Sequence, residues 1–579
     1  MNDPCGAAYV LFLQWLFIAP LRKLNSWRKG LWEGALKIFQ DKTVSQKALG
    51  GFLKANTGLW RNIDLGMSLK KEDSYILVEG LLEAPSYIMT NLLIARYVMG
   101  AYGLPAAGLL NRPDAKVETI FRSYGISKFY YLSDRKQGWV RNIKNAWKVV
   151  QLLKGIRNMD DFLKLNFNGI SVGKIVYDNY LRSTGFGTLA GVDWRVFEGL
   201  TDCVGHIEHL EEFFETKRFP VLIQAEKQFI PYALVCQSAL KNGTVIYSRG
   251  GGPTTFTLRR YDDLGQYYFN PHRPSNELFE HILKNCRQQG VRGGEEHIHK
   301  RFSGEPAPYD IPDAALAFKK DDRKISRQGF CDQLGWDPSR PIVGIMANNL
   351  IDGVFTDNWE LFRDYLTWFR ETLKTIRNID GVNWFVRPHP TDKLYNIKTT
   401  IKGEYEWLAG DCKHIRYFPE HVAGSSISDI VDVILTVRGS AGVEYSCYGI
   451  PCVIAGEALY TGFGFTHEPR TQEQYFDVLR NIRALKRLDK DQIERAKIFV
   501  YIYGVLSRVK AEFIPHFSPF GDDDEKDLLE KAAALAASVD PKEDRLNKMI
   551  QIQVERKYRH LLNYDWIGGG THSDPCSSS

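Results

Sequence analysis

The sequence predicts an α/β protein of two parallel-sheet domains. Three observations carry this: strand-like and helix-like runs alternate over residues 74–125 and 221–248, the alternation restarts at 341, and 579 residues suit two domains. In the first domain, SYILVEGLL (74–82) reads as a buried strand ending at Gly80, and TNLLIARYVMGAYG as a helix stopped by Gly100 and Gly103. PAAGLL returns as a strand and VETIFRSYG as a helix ending at Gly125. VLIQAE (221–226), YALVCQSAL and TVIYS (244–248) add strand, helix and strand. Residues 252–310 read as irregular insertions and helical pieces that carry the domain to about residue 325. The second domain opens on the strand PIVGIMA (341–347). Asp357 and Glu360 form an N-cap and N3 pair before a helix whose Trp359, Phe362, Leu366, Phe369, Leu373 and Ile376 recur at three and four. WFVRPHP is the next strand and its exit loop, 432–437 a further strand, GSAGVEYSCYG a glycine turn into a short helix, and CVIAG a last strand. QYFDVLRNIRALKRL, DQIERAKIFVYIYGVLSRV and DDDEKDLLEKAAALAAS are helical. The expected divisions are 1–69 (helical or membrane-proximal), 70–325, 326–520, 521–563 (C-terminal helices) and 564–579, a Gly- and Ser-rich disordered tail. With no long linker, a cleft between two lobes is expected.

Composition excludes several classes. The 75 Lys and Arg against 69 Asp and Glu leave +6, with no dense basic tract, so nucleic-acid binding is not expected. Nine scattered cysteines without a CxxC pair fit a reducing compartment and argue against a disulfide scaffold or structural zinc. Residues 6–19 are apolar but too short to span hydrocarbon, and Asp3 precedes them in place of a basic signal-peptide head. Arg22, Lys23, Trp27, Arg28 and Lys29 follow, so peripheral membrane contact by residues 1–30 stands beside a helix that merely caps the first domain.

The densest chemical signal is RPHPTDK (387–393) at a strand exit. Arg387 and His389 share one side of an extended segment, Pro388 and Pro390 stiffen it, and guanidinium and imidazole can clamp a phosphate. The second is RGSAGVEYSCYGIPCVIAG (438–456). Gly439 and Gly442 allow close backbone approach, Ser440 can bind an anion, and Glu444 can accept from ribose hydroxyls or favour the helix start. Neither GxGxxG nor GxxxxGK[ST] is present. In the first domain NGISVGKIVYDNYLR (168–182) sets Gly169 and Gly173 before Tyr177 and Asp178. Lys174 or Arg182 can neutralise an acidic group, and Asp178 can act as base or nucleophile. Glu83, Glu226 and Asp352 are further acids, each also readable as structural. SRGGGPTTF (248–256) reads as a flexible loop or a bend. His206 with His209 have helical spacing, His297 with His299 could form an extended pair, and His572 and Cys576 lie in the tail; none makes a persuasive metal site.

Together, ILVEGLLEAPSY, NGISVGKIVYDNYLR, the VIYSRGG region, GIMANNLIDGVFTDNW, FVRPHP and LTVRGSAGVEYSCYGIPCVIAG span roughly 70–475. They resemble the bacterial capsule-polysaccharide synthesis glycosyltransferases, especially transferases of 3-deoxy-D-manno-oct-2-ulosonic acid (Kdo). The resemblance implies a GT-B fold: two facing Rossmann-like domains with a central cleft, the C-terminal one holding the donor nucleotide. It further implies CMP-β-Kdo as donor and a polysaccharide or glycolipid acceptor; CMP leaves with its charge on phosphate, so no separate cofactor or metal is expected, and cysteine usage suits a cytoplasmic enzyme, peripheral on the inner membrane if residues 1–30 bind lipid. By similarity, His389 and Pro390 meet the CMP phosphate, and Arg438, Gly439, Ser440, Ala441, Gly442 and Glu444 form the nucleotide site together with Arg387. Asp178 is then the nucleophile of a double displacement with retention, and Lys174 or Arg249 meets the donor carboxylate, beside Glu83 and Glu226. A CDP-glycerol-dependent glycerophosphotransferase and a noncatalytic sugar-nucleotide binding component are the alternatives.

Overall fold

Two sheets organise the chain, each made of short strands that are apolar on both faces. The computed structural model describes residues 8–16, 46–61, 74–134, 138–304, 317–318, 323–516 and 524–562. The first sheet contains β1 (Ser74–Glu79), β2 (Ala106–Leu110), β3 (Phe129–Tyr131), β4 (Arg218–Gln224), β5 (Val245–Gly251) and β6 (Thr255–Tyr261), in the order β3-β2-β1-β4-β5-β6. Strands β1 to β5 are parallel and β6 returns antiparallel to β5. Ile76, Leu77 and Val78 are wholly buried, as a strand with both faces covered requires. The helix Pro85–Tyr102 is apolar nearly all round, starts with proline at its first turn and ends at Gly103, whose φ of 64° is a left-handed cap.

The second sheet contains β7 (Ile342–Met346), β8 (Asn383–Arg387), β9 (Ile415–Tyr417), β10 (Val433–Thr436) and β11 (Cys452–Ile454), all parallel in the order β9-β8-β7-β10-β11. The chain then rejoins the first unit, where β12 (Val509–Lys510) and residues 559–561 cover the outer edge of β6. Both sheets therefore have the Rossmann-like strand order. The order reverses between β1 and β4 in one and between β7 and β10 in the other, the places where such sheets bind ligands beyond their carboxyl ends.

The first unit comprises residues up to 183, 189–271 and 509–562, and the second takes 184–188 and 272–508. The second unit thus begins well before residue 325, for a packing reason. Asn276–Asn285 and Arg287–Phe302 are helices, the latter laid against Lys490–Tyr501 so closely that a Cβ on Gly294 would stand 1.9 Å from the Lys497 carbonyl oxygen. His297 and His299 consequently lie on a helix, not in an extended pair. Residues 248–256 are a hairpin between β5 and β6 rather than a flexible loop. The C-terminal helices Glu525–Ser538 and Arg545–Arg556 pack on Gln46–Arg61 and Pro85–Tyr102, and the Tyr97 hydroxyl donates to Asp544 at 2.5 Å. The expected tail, 564–579, lies outside the described residues.

The helix expected after Asp357 starts later, at Tyr365, with Asp364 accepting from the Thr367 N–H at 2.6 Å as its cap. Asp357 and Glu360 are diverted to Arg438, and Trp359 and Phe362 precede the helix, while Leu366, Phe369, Leu373 and Ile376 form its buried stripe as the spacing predicts.

Candidate functional site

Each unit gathers polar groups at the carboxyl ends of its strands. In the second unit the exits of β7, β8 and β10 converge. His389, just past β8, caps the turn Pro390–Leu394: its Nδ1 accepts from the Thr391 N–H at 3.3 Å and meets the Thr391 hydroxyl at 2.7 Å. Burial, only partly offset by Asp352, lowers the His389 pKa to about 4, so the ring is neutral near neutral pH. With Nδ1 accepting a backbone N–H, the proton of the neutral ring sits on Nε2, which bonds to no other described residue and is left as a donor. Asn349 supports this turn, its amide reaching the Thr391 hydroxyl at 3.5 Å.

Arg387 sits on the same strand end. Its guanidinium donates to the Ala317 carbonyl at 2.9 Å, lies 5.3 Å from the Phe418 ring centroid and reaches the Tyr445 hydroxyl. Both Arg387 and Glu444 act electrostatically on His389, so the RPHP exit and the 438–444 turn occupy one end of the sheet. In that turn Gly439 donates to the Thr436 hydroxyl at 3.2 Å, while the N–H groups of Ser440 and Ala441 have no acceptor among the described residues. Gly442 is fixed by a close approach: a Cβ there would stand 2.0 Å from the Tyr460 hydroxyl, which donates to the Gly439 carbonyl at 2.7 Å. Gly442→Ala is expected to cost about 1–3 kcal/mol by overpacking, measured by chemical denaturation, with a loss under about 0.5 kcal/mol showing that the turn relaxes freely.

Two residues of this turn are committed internally. Arg438 donates to Thr356 and Asp357, both at 2.6 Å, and to the Val354 carbonyl at 3.0 Å, and pairs with Glu360. It braces the turn rather than presenting a charge to a ligand. Glu444 is buried and accepts from Arg301 at 2.7 Å, which displaces the ribose role read from its helix-start position.

In the first unit the exits of β1, β4 and β5 gather a second set. Glu79 closes β1, fully buried, with one oxygen accepting from Leu81 N–H at 2.7 Å and Leu82 N–H at 2.9 Å and the other from Ala225 N–H at 3.1 Å. Burial raises its pKa, against the pull of those N–H groups and of Arg249. Arg249, on β5, is 1% exposed, donates to the Gly251 and Gly252 carbonyls at 3.2 and 2.7 Å, and covers the Tyr87 ring at 4.6 Å. Its Nη2 has no hydrogen-bond partner among the described residues. The charges acting on it are Tyr87, Glu79 and Glu226.

Glu226, just beyond β4, is half-buried, and its Oε1 accepts from Lys227 N–H at 2.8 Å and Gln228 N–H at 2.7 Å. Glu83 accepts from Asn111 at 3.2 Å. The Tyr232 phenol, raised far above its ordinary pKa by burial, feels Glu79, Glu226 and Glu83 together, so three acids surround one hydroxyl. Asp178 belongs to the same unit. It is 6% exposed within the helix Val172–Thr184 and acts on Tyr267 and Tyr268, while Lys174 covers the Tyr268 ring at 4.7 Å. Neither is among the groups acting on Arg249. Sequence reasoning passed over Glu79 and Thr391; a carboxylate ending a wholly apolar strand before Gly80, and a hydroxyl two residues after His389, were the available signals.

No protein-family model matches the chain, and no curated protein does. Among solved structures, the β-Kdo 2,4 transferase of KpsC from Thermosulfurimonas dismutans is similar at 14% identity and a TM-score of 0.30, covering 50% of this chain and 85% of that one. A glycosyltransferase from Rickettsia africae ESF-5 is similar at 10% identity and 0.24, over 84% of this chain and 100% of that one. The wall teichoic acid polymerase TagF is similar at 9% identity and 0.21, over 90% and 99%. At such identities and TM-scores none decides the fold or the reaction, which rest on the chain's own residues.

Proposed function

We propose that this chain is a GT-B glycosyltransferase that moves Kdo from CMP-β-Kdo to a polysaccharide or glycolipid acceptor. The observation that carries the reading is the pairing of a neutral His389, with its Nε2–H as donor, and the Ser440–Ala441 N–H groups at one sheet end. These groups suit a phosphate that gains charge as it leaves. What favours an acidic sugar over glycerol phosphate is Arg249, a buried cation whose Nη2 has no partner among the described residues and whose natural complement is a carboxylate.

In this reading the Glu226 carboxylate attacks the anomeric carbon as the bond to the phosphate oxygen breaks, and CMP departs with the electron pair. An acceptor hydroxyl then displaces Glu226 at the same carbon and passes its proton to Glu83, giving net retention. Glu79 holds the exits of β1 and β4 together and is the positioning acid. The described cysteines are free thiols, which suits the cytoplasmic assignment.

Incubation with CMP-Kdo and a panel of oligosaccharide and glycolipid acceptors, read by mass spectrometry, tests the proposal. A Kdo-extended product supports it. A glycerol-phosphate product from CDP-glycerol replaces it with the glycerophosphotransferase, and nucleotide binding with no product from any acceptor points to a binding component.

Donor affinity is expected to depend on pH through Asp392. Burial, with the charge of Asp352 adding to it, raises its pKa to about 7, and its backbone N–H donates to the His389 carbonyl at 3.1 Å. Below that pH the neutral acid does not oppose a phosphate, and above it the carboxylate does. CMP affinity should therefore fall as pH rises through about 7, and Asp392→Asn should flatten the profile. An unchanged profile in that variant, followed by calorimetry, would assign the titration to another group.

A further inference from the structure

Nine large apolar side chains are exposed among the described residues, and six of them lie on two helices that touch each other: Tyr9, Val10 and Leu13 on 8–16, and Trp139, Val140 and Trp147 on Trp139–Leu153. Ring contacts join the helices, Tyr9 to Trp147 at 5.7 Å, Phe12 to Trp147 at 5.9 Å and Trp15 to Trp139 at 6.4 Å. The inner face of Trp139–Leu153 is spent on Ala146, Val149, Val150 and Leu153, which are buried toward the helix Trp194–Thr216. Its outer face, by helical period, carries Val140, Lys144, Trp147, Gln151 and Lys154. Val140 is 66% exposed and Leu13 52%, so this is a contiguous apolar and aromatic surface held in water, the kind that marks an interaction site.

Charge identifies the partner. Lys144 and Lys154 form no ion pair with a carboxylate among the described residues, and Lys154 lies 5.9 Å from the Tyr9 ring centroid. The sequence from Pro4 to Trp32 contains no Asp or Glu, yet it carries Arg22, Lys23, Arg28 and Lys29 with Trp27. Arg141 and Lys148 of the same helix are neutralised by Glu208, which leaves tryptophans, aliphatic tips and the unpaired Lys144 and Lys154, a combination that matches anionic headgroups above acyl chains. No helix among the described residues is long and apolar enough to cross a membrane.

We infer that this two-helix surface docks on an anionic lipid bilayer, with Leu13, Val140 and the tryptophans at the headgroup boundary and Lys144 and Lys154 on the phosphates. The inference stands independently of the donor and reaction proposed above. Sedimentation of the full chain with vesicles, without nucleotide, tests it. The protein is expected to sediment with equimolar phosphatidylcholine and phosphatidylglycerol, to stay largely in solution with phosphatidylcholine alone, and to be released by salt. Leu13→Glu combined with Val140→Glu should lower binding by about tenfold or more while thermal unfolding and nucleotide binding are kept. Lys144→Glu combined with Lys154→Glu should remove the preference for the anionic vesicles. Failure of the wild type to bind either vesicle, equal binding to both, or unchanged binding by the Leu13–Val140 variant overturns the inference. So does light scattering that shows a wild-type dimer broken by that variant with no vesicle binding, which makes the face an interface between copies of this chain.

Discussion

Glu226→Gln is expected to lower the rate of the proposed sugar transfer by about 10³-fold, with folding and any CMP binding unchanged. The amide keeps the shape of the side chain, and its oxygen can still accept from the Lys227 and Gln228 N–H groups at 2.8 and 2.7 Å, so the loop after β4 has no reason to move. What disappears is the negative charge acting on Arg249 and the oxygen proposed as nucleophile. Asp178→Asn, by contrast, should keep turnover within about tenfold, because Asp178 acts on Tyr267 and Tyr268 and not on Arg249. Product formation under single-turnover conditions decides between them. An inactive, folded Asp178→Asn beside an active Glu226→Gln would return the nucleophile to Asp178. Trapping the sugar on Glu226, identified by peptide mass, would secure the assignment.

Arg249→Met should cost about 3–5 kcal/mol at neutral pH, the usual penalty for stripping a buried charge of its partner. The guanidinium lies among Glu79, Tyr87 and Glu226 at 1% exposure, and methionine fills much of its volume without its charge. Glu79 already has a pKa raised by burial, and losing the cation raises it further. A carboxyl whose folded-state pKa exceeds its unfolded one stabilises the fold at low pH and loses that contribution as pH rises through the folded value. The deficit of the variant should therefore grow as pH rises above the ordinary carboxylate range, and adding Glu79→Gln should recover part of it at the upper end. Urea denaturation at a series of pH values measures both. A deficit below about 1 kcal/mol, or one that shrinks as pH rises, would show that Arg249 does not neutralise Glu79.

Most of the secondary structure was legible because it is encoded locally. SYILVEG and IVGIM are apolar runs of strand length, and Gly103 ends its helix by a backbone geometry that glycine adopts without cost. The start of the helix at Tyr365 was not legible. Asp357 and Asp364 are both good caps by residue type, and the choice between them is made by Arg438, 81 residues beyond Asp357. The same long-range pairing explains Arg438 itself: a guanidinium beside Gly439 and Ser440 reads as a phosphate ligand until its carboxylate partners are seen. The place of RPHP at a strand exit was readable, since a strand-length apolar run precedes it. The tautomer of His389 was not, because it depends on which groups donate to Nδ1. The grouping of Glu79, Glu226 and Arg249 depends on strand order, placing residues 79, 226 and 249 at adjacent exits of one sheet.

The route of the chain through its first unit bears on how the protein is made. Gln46–Arg61 and Pro85–Tyr102 find their packing partners in Glu525–Ser538 and Arg545–Arg556, more than 400 residues later, including the Tyr97–Asp544 hydrogen bond with its separation of 447. At a ribosomal rate of about 5–20 residues per second, the nascent apolar face of Pro85–Tyr102 stays uncovered for tens of seconds after it leaves the exit tunnel. The second unit, continuous from 272 to 508 apart from a short borrowed segment, can fold during that wait. Premature termination before residue 524 would therefore spoil the opening portion of the polypeptide more than the portion nearest the stop, and chaperone demand should fall on the earliest-made helices.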